Sequence, residues 1–493
     1  RGCADAAGLE EGEDMIAGLG PYPAMKDSGV PWLGEVPEHW QVSPAFAVYR
    51  PRQVKNTGLV ESTVLSLSYG RIIVKAPEKL RGLVPESFET YQIVEPSNVI
   101  VRTTDLQNDQ TSLRVGHARH RGIITAAYMC LEIKPIVLNE FGYQYLNAYD
   151  LLKIIYGFGS GLRQNLDFND IKRMPVLVPP RDEQAAIVRF LDHADRRIRR
   201  YIGAKQKLIK LLQEQKQAII HRAVTRGLDP NVRLKPSGVE WLGDVPEHWE
   251  VLPLKRWVST KITDGPHETP AWLDDGVPFL SAEAMVDGQF NFGRRRGFIS
   301  RELHDVYCRK CRPQREDLFM CKSGATTGKV AIVETDDEFS VWSPLALIRV
   351  KPSRVLPRML LAVLQSRYVQ RQVQDTWSYG TQPNLSMGAM ERLLVALPPR
   401  AEQADLLAHI DGQTSLPVAA IDRARREIEL LREFRTRLIA DVVTGKLDVR
   451  EAAARLPEDG EEPESLDVTE TLGEAEEESS PNDLDAEPEE AEA

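Results

Sequence analysis

Apolar residues recur along residues 187–219 at alternating steps of four and three positions. The stripe comprises Ile187, Leu191, Ala194, Ile198, Tyr201, Lys205, Leu208, Leu212, Gln215 and Ile219. Charged residues such as Arg199 and Glu214 fall outside it. The period predicts a helix of roughly 48 Å that packs against another helix along its length. An ordinary core helix is the alternative interpretation, and the length of the stripe argues against it.

A second stripe of the same kind follows later in the chain. It comprises Ile421, Ala424, Ile428, Leu431 and Leu438. Pro417 precedes this stripe, and we expect it to break or restart the helix because proline lacks the backbone N–H that an interior turn requires.

Two long segments of the chain occur twice. SGVPWLGEVPEHWQV, from Ser28, returns as SGVEWLGDVPEHWEV from Ser237, and we call this segment the head motif. GLRQNLDFNDIKRMPVLVPPRDEQ, from Gly161, aligns with GTQPNLSMGAMERLLVALPPRAEQ from Gly380 at an offset of 219 residues, and the alignment continues through both stripes. So long a period excludes solenoids and propellers and indicates a duplicated domain. Each copy has a head motif, a variable region and a shared tail, and the tryptophans of the head motif are expected to anchor a turn.

Chain order sets the direction of the two helices. The first ends a few residues before the second head motif, so the second must run back antiparallel if the stripes pair. The predicted fold is α/β, with two globular α/β units separated by two long, antiparallel, coiled-coil-like helices in a pseudo-two-fold internal repeat. The predicted boundaries are 1–25 for an N-terminal extension, 26–178 and 230–397 for the globular units, 179–229 and 398–449 for the helices, and 450–493 for a disordered acidic tail.

The formal net charge of -11 is distributed unevenly over the 493 residues. Residues 451–493 carry -17 and residues 1–14 carry -4, so residues 15–450 carry +10. The tail has too few apolar residues to offset its ordering entropy, which predicts disorder. A solubilising role is the simpler interpretation of the tail, and competition for a basic groove is the alternative.

The sequence shows neither the pattern of a membrane-spanning helix nor that of a secretory signal. The apolar runs are short, and the N-terminus lacks the basic-then-apolar order of a secretory signal. Five cysteines, spread thinly, suit a reducing compartment. We therefore expect a cytoplasmic protein without a membrane span.

The head motif, the PPR-x-EQ helix start and the long helices ending in TRGLD or TGKLD resemble the specificity (S) subunit of type I restriction-modification systems. The resemblance covers residues 26–448 and implies that the variable regions are target recognition domains, each reading half of a bipartite double-stranded DNA site. It implies two partner methyltransferase (M) subunits that carry S-adenosylmethionine and methylate adenine. It also implies restriction/translocase (R) subunits that use ATP and Mg²⁺. For this chain it implies no cofactor.

Catalytic motifs in the chain itself are unconvincing. Residues 324–330, GATTGKV, resemble a P-loop but are one residue short and place Val330 where Ser or Thr should hold Mg²⁺. A possible zinc set comprises His304, Cys308, Cys311 and Cys321. Its irregular spacing favours ordinary reduced thiols, and metal binding stays open. We therefore predict a non-catalytic DNA-binding subunit; a helical scaffold that binds partner proteins without reading DNA is the alternative.

Polar residues on loops of the variable regions, and where these regions join the helices, are the candidates for DNA contact. Arg and Lys neutralise phosphate or bind guanine, while Asn and Gln read adenine. The candidates are Arg102, Arg114, His117, Arg119, Arg163, Gln164, Asn165, Arg294, Arg295, Arg296, Lys322, Thr327, Lys329, Gln382 and Asn384. Solvated surface charge is the alternative for any one of them. The residues predicted to pair the helices are Ile187, Leu191, Ile198, Leu208, Leu212, Ile219, Ile421, Ile428, Leu431 and Leu438.

Overall fold

The computed structural model describes residues 19–75, 87–104, 106, 109, 112–158, 165–379 and 383–457. The chain divides into two compact units. Unit 1 comprises Arg1–Gln206 and Ala424–Ala493, and unit 2 comprises Lys207–Arg423. Of the predicted extension 1–25 and the predicted disordered tail 450–493, residues 1–18 and 458–493 lie outside the described residues. The tail prediction is wrong at its start, because Arg450–Arg455 form a helix in which Ala453 is buried.

Unit 1 is built mainly from short antiparallel strands. Its elements are β1 (Met25–Asp27), β2 (Glu35–Pro37), β3 (Gln41–Pro44), α1 (Ala45–Val48), β4 (Tyr49–Pro51), β5 (Leu65–Ser68), β6 (Arg71–Val74), β7 (Gln92–Val94), β8 (Val99–Val101), β9 (Val115–His117), β10 (Gly122–Ile124), β11 (Met129–Ile133), α2 (Asn139–Leu151), α3 (Phe168–Ile171), β12 (Pro175–Val178) and the start of α4 (Arg181–Arg226). The largest sheet has the strand order β4-β11-β8-β9. Its strand β8 reads Val-Ile-Val and is buried throughout, as expected for β-branched residues covered on both faces.

Unit 2 contains a larger, mixed sheet. Its elements are β13 (Leu234–Pro236), β14 (Asp244–Pro246), β15 (Glu250–Pro253), β16 (Thr263–Asp264), β17 (Val277–Leu280), β18 (Met285–Val286), β19 (Gln289–Phe290), β20 (Gly297–Ile299), α5 (Arg301–Cys308), β21 (Leu318–Cys321), β22 (Val330–Ile332), β23 (Ser340–Val341), β24 (Leu345–Ile348), α6 (Pro357–Leu364), α7 (Arg367–Asp375), β25 (Ser378–Tyr379), β26 (Pro383–Asn384), α8 (Met387–Arg392), β27 (Leu394–Leu397) and the start of α9 (Arg400–Val443). The main sheet has the order β16-β24-β21-β22-β19-β18. After α9, the short helix α10 (Arg450–Arg455) belongs to unit 1.

The helices α4 and α9 run antiparallel within unit 1. Asp195 on α4 binds Arg435 on α9, and Lys205, further along α4, binds Glu427, which lies earlier on α9. The predicted stripe of α9 is buried at every position, namely Ile421, Ala424, Ile428, Leu431 and Leu438. The prediction of two long, packed helices is therefore confirmed.

The predicted stripe of α4 is wrong in its second half. Ile187, Leu191 and Ile198 are buried, but the side chain of Leu208 is 47% exposed, and Leu212 and Ile219 are only half-buried. Ile202, Ile220, Ala223 and Val224 are buried instead. A straight α-helix has 3.6 residues per turn, so a strict heptad stripe drifts by about 20° per heptad and leaves the buried face over a helix of this length.

The expected break at Pro417 is also wrong, because α9 continues through it. The pyrrolidine ring is buried on the apolar face of the helix. In the preceding turn, the Thr414 hydroxyl donates to the carbonyl of Ile410 and the Ser415 hydroxyl donates to that of Gly412. Neither bond reaches the carbonyl of Gln413, which lacks its N–H donor because of the proline, so packing of the buried ring is what offsets part of the cost of the lost N–H.

Candidate nucleic-acid interface

The repeated head motif binds the start of α4 in unit 1. Trp40 is fully buried and its indole N–H donates to Glu183 Oε2 at 2.9 Å. His39 Nε2 lies 2.7 Å from the other oxygen of the same carboxylate. The next residue, Gln184, accepts the backbone N–H of Leu138 at 2.7 Å. The Glu-Gln pair of the PPR-x-EQ motif thus joins the head motif and the approach to α2 to one helix start.

Unit 2 repeats this arrangement with its own residues. His248 Nε2 lies 2.8 Å from Glu402, and the Trp249 indole donates to the same carboxylate at 3.3 Å. Gln403 accepts the backbone N–H of Leu356, immediately before α6, at 2.7 Å. The head motif occurs twice because its His and Trp side chains contact the Glu at the start of each long helix.

Each head motif also covers the end of a long helix. In unit 1, a Cβ on Gly445 would lie 2.4 Å from Cδ of Pro37, and in unit 2 a Cβ on Gly227 would lie 3.5 Å from the Trp249 ring. Both glycines have positive φ, the left-handed conformation that commonly ends a helix. The TRGLD and TGKLD motifs therefore let the chain turn sharply against a head motif.

The DNA-contact candidates of unit 1 differ in accessibility. Arg119 is exposed between β9 and β10, and Asn165 is exposed before α3. Arg102 is partly exposed and pairs with Asp109 at 3.4 Å. His117 on β9 is half-buried and stacks on Tyr143, with ring centroids 4.9 Å apart. Burial lowers the pKa of His117, which keeps it neutral at pH 7.

Arg114 is a correction to the predicted set. Its side chain has no exposed surface. The guanidinium donates to Tyr156 Oη at 2.9 Å and to the carbonyl oxygens of Thr104 and Asp109 at 2.6 Å. These partners leave Arg114 inside unit 1, where it supports the loop after β8 and does not reach a ligand surface. Arg163 and Gln164 lie outside the described residues.

The arginine cluster of unit 2, residues 294–296, is exposed. Arg295 lies over the ring of Phe298 at 4.4 Å, and Arg296 lies over Trp342 at 5.5 Å while forming an ion pair with Glu283. The aromatic rings hold these two guanidinium groups at the surface.

The loop that resembles a P-loop lies beside the strand β26. Gly324 N–H donates to the carbonyl of Pro383 at 3.1 Å, and the Thr327 hydroxyl donates to the carbonyl of Gly324 at 2.7 Å. Lys329 and Asn384 are exposed there. The structure thus brings Thr327, Lys329 and Asn384 into one neighbourhood, while Gln382 lies outside the described residues.

Lys322 belongs to an ionic cluster on Asp264. Its ammonium group lies 3.2 Å from that carboxylate, which also binds Lys310 at 2.5 Å and His267 at 3.2 Å. Burial alone would raise the pKa of Asp264, but the bonds from Lys310 and Lys322 outweigh it and lower the pKa. Asp264 is therefore ionised at neutral pH and holds Lys322 against the sheet.

A cleft that sequence reasoning did not foresee lies in unit 1. It has a volume of about 190 Å³, and its walls include Tyr69, Arg71, Arg199, Arg432 and Arg435. We call it the arginine cleft. Arg71 begins β6, Arg199 lies on α4, and the other two arginines lie on α9. The repeat offers a signal for part of this set, because Arg435 aligns with another cation, Lys216, at the offset of 219 residues.

The possible zinc ligands are dispersed. Cys308 Sγ lies 3.4 Å from His304 Nε2, while Cys311 and Cys321 are buried among apolar side chains. Burial raises the pKa of Cys311 to about 12. Among the residues that the structure describes, no three His, Cys, Asp or Glu side chains form a metal-binding group. Within the same residues, no helix is long and apolar enough to cross a membrane.

Comparison with known proteins agrees with this architecture. Residues 96–210 match the family model described as "Type I restriction modification DNA specificity domain". The chain is 21% identical over 340 residues to the type I restriction enzyme MjaVIII specificity subunit of Methanocaldococcus jannaschii, covering 67% of this chain and 75% of that protein. It is 21% identical over 306 residues to a putative type I restriction enzyme MjaX specificity subunit of the same organism, covering 58% of this chain and 63% of that protein.

A solved structure shares the fold. It is described as "Structural basis underlying complex assembly and conformational transition of the type I R-M system", and the match has a TM-score of 0.54 at 14% identity, covering 83% of this chain and 98% of that chain. Together these matches confirm the α/β fold with long helices. They also confirm the resemblance to specificity subunits of type I restriction-modification systems.

Proposed function

We propose that this chain is the DNA sequence-specificity subunit of a type I restriction-modification complex. Each variable region binds one half of a bipartite double-stranded DNA site, and the helices α4 and α9 set the separation of the halves. The chain carries no catalysis and no cofactor of its own. It directs two methyltransferase subunits, which hold S-adenosylmethionine, and restriction subunits, which use ATP and Mg²⁺.

The observation that carries this proposal is that two unlike variable regions are each held to a long helix by the same set of head-motif contacts. The contacts of His39 and Trp40 with Glu183 recur as those of His248 and Trp249 with Glu402. Between these repeated contacts, unit 1 and unit 2 have sheets of different size and strand order. Two domains that bind different half-sites need different loops, because the contacts with bases come from loops. The contacts that hold each domain to its helix can stay the same in both copies.

Exposed cations in both variable regions support nucleic acid as the ligand. Arg119 in unit 1, and Arg294, Arg295 and Lys329 in unit 2, are exposed on or beside loops. Arginine binds phosphate or forks onto guanine, and the exposed Asn165 and Asn384 have the amide group that pairs with adenine. These residues form the candidate interface.

The proposal is tested by exchanging residues 43–158 for the corresponding region of another specificity subunit and sequencing the methylated DNA of the host. One half of the methylated site should change and the other half should stay as it was. A change in both halves, or in neither, contradicts the assignment of one half-site to each region. A salt series of gel shifts on the full chain tests the scaffold alternative, since a scaffold would have no salt-dependent duplex affinity.

A further inference from the structure

We propose that the arginine cleft of unit 1 binds backbone phosphates of duplex DNA, in addition to the loop contacts above. The proposal rests on the proposed DNA-binding function and adds residues of the long helices to the interface. It assigns a positioning contact, not a base-reading one, because guanidinium groups that meet phosphate carry no sequence information.

The charge of the cleft favours an anion. Four arginines line it, and no acid is among its described lining residues. Asp195 binds two of them from the side, Arg199 at 2.7 Å and Arg435 at 2.5 Å. Phosphate oxygens can accept hydrogen bonds from guanidinium groups that converge on one opening.

Asp195 orders two of the four guanidinium groups. Burial alone would raise the pKa of Asp195, but the charges of Arg435 and Arg199 outweigh it and lower the pKa. The carboxylate is therefore ionised at neutral pH and fixes both side chains, which are 26% and 32% exposed. A guanidinium with one edge on a carboxylate retains N–H donors for a phosphate oxygen.

The turn between β5 and β6 presents Arg71 to the cleft. Tyr69 and Gly70 both have positive φ, at 47° and 75°. This pair of conformations makes a tight hairpin turn that Asn-Gly adopts readily and tyrosine adopts at a cost. Strained backbone of this kind concentrates at functional sites, and here it places the Tyr69 phenol and Arg71 on the same cleft.

The size of the cleft favours a polymer backbone over a free nucleotide. Small-molecule sites have volumes of roughly 300–1,000 Å³, and this cleft has about 190 Å³. The space therefore suits a phosphate group whose remaining substituents extend into solvent.

Unit 2 has a cleft lined by two lysines and by Asp287 on the equivalent stretch of its own helix. Gln213 and Lys216 of α4 align with Arg432 and Arg435 of α9, and they line a cleft of about 410 Å³ together with Lys329. Its walls also include the amide side chains of Gln217, Gln365 and Gln370. The cleft of unit 2 is larger than that of unit 1 and includes an acid, so the proposal is made for unit 1 alone.

The test compares two double variants of the full chain with equal charge. Arg71→Gln with Arg432→Gln alters the cleft, and Arg50→Gln with Arg437→Gln removes two exposed arginines of unit 1 that pair with Glu132 and Glu433. Affinity for a mixed-sequence duplex is measured from 50 to 300 mM salt, because phosphate contacts do not depend on sequence. Thermal melts by circular dichroism establish that both variants fold.

We expect the slope of log affinity against log salt to become shallower by about 0.9–1.8 in the cleft variant, at about 0.9 per lost phosphate contact, and to stay at the wild-type value in the control. Equal slopes in the two variants overturn the proposal while leaving DNA binding intact. So does an equal slope combined with stabilisation of the wild type by inorganic tripolyphosphate, which would assign the cleft to a small phosphoanion. A wild-type chain without duplex affinity at any salt contradicts the proposed function itself.

Discussion

Glu183 and Glu402 occupy equivalent places in the repeat but differ in burial. The side chain of Glu183 is 6% exposed and accepts Trp40 at 2.9 Å, whereas that of Glu402 is 30% exposed and accepts Trp249 at 3.3 Å. Because removing an acceptor leaves a buried donor without a partner, the more enclosed contact should matter more to stability.

We therefore predict that Glu183→Ala lowers the free energy of unfolding by about 2–3 kcal/mol and that Glu402→Ala, its matched control, lowers it by about 1 kcal/mol. Urea denaturation of the full chain measures both values. If the two variants lose equal stability, or if Glu402→Ala loses more, burial of the carboxylate does not determine the strength of this contact.

At the residue scale, the sequence predicts which residue types can contact DNA but not which of them reach the surface. Arg114 and Arg119 lie five positions apart, and only Arg119 is exposed. Arg114 is buried by Tyr156 and by loop carbonyls that the sequence alone does not bring near it. Arg432 is a residue that the sequence does not single out for DNA contact. It lies on a predicted helix, and it lines a cleft only because the β5–β6 hairpin, which is distant in sequence, packs nearby.

The long helices are the elements that the sequence predicts best, since their stripes and their starts repeat at one offset. The errors came from local geometry. The stripe of α4 drifts away from Leu208, and Pro417 is accepted inside α9 because its ring packs on the buried face.

Replacing Pro417 should reveal how the helix tolerates it. Pro417→Ala restores an N–H for the carbonyl of Gln413 and removes a residue that disfavours helix by about 3 kcal/mol, while loss of buried ring carbons costs about 1.5 kcal/mol. We expect a net gain of about 1–2 kcal/mol in the free energy of unfolding, measured in urea.

The control for this change is Leu416→Ala. The side chain of Leu416 is 81% exposed, so its truncation should alter stability by less than about 0.5 kcal/mol. A loss of stability in Pro417→Ala would instead mean that the packing of α9 requires the proline ring, and the helix would then depend on this residue.

At the scale of the whole molecule, positive and negative charge are concentrated in different segments of the chain. Residues 15–450 carry +10, whereas residues 451–493 carry -17. A ligand as acidic as DNA is attracted by the first segment and repelled by the second, so the overall charge of -11 understates the affinity of the body for an anion. This repulsion acts over the Debye length, about 30 Å at 0.01 M salt and about 8 Å at 0.15 M.

Ending the chain after Pro457 removes most of the negative segment. We predict that the shortened chain associates with a mixed-sequence duplex about tenfold faster at 0.01 M salt, and that the difference disappears near 0.5 M, as stopped-flow fluorescence can measure. The control keeps the length but replaces every Asp and Glu of residues 458–493 by Asn and Gln. If charge is the cause, this neutral variant must associate as fast as the shortened chain. A neutral variant that keeps the wild-type rate would assign the effect to the length of the segment, and electrostatic competition with DNA would be excluded.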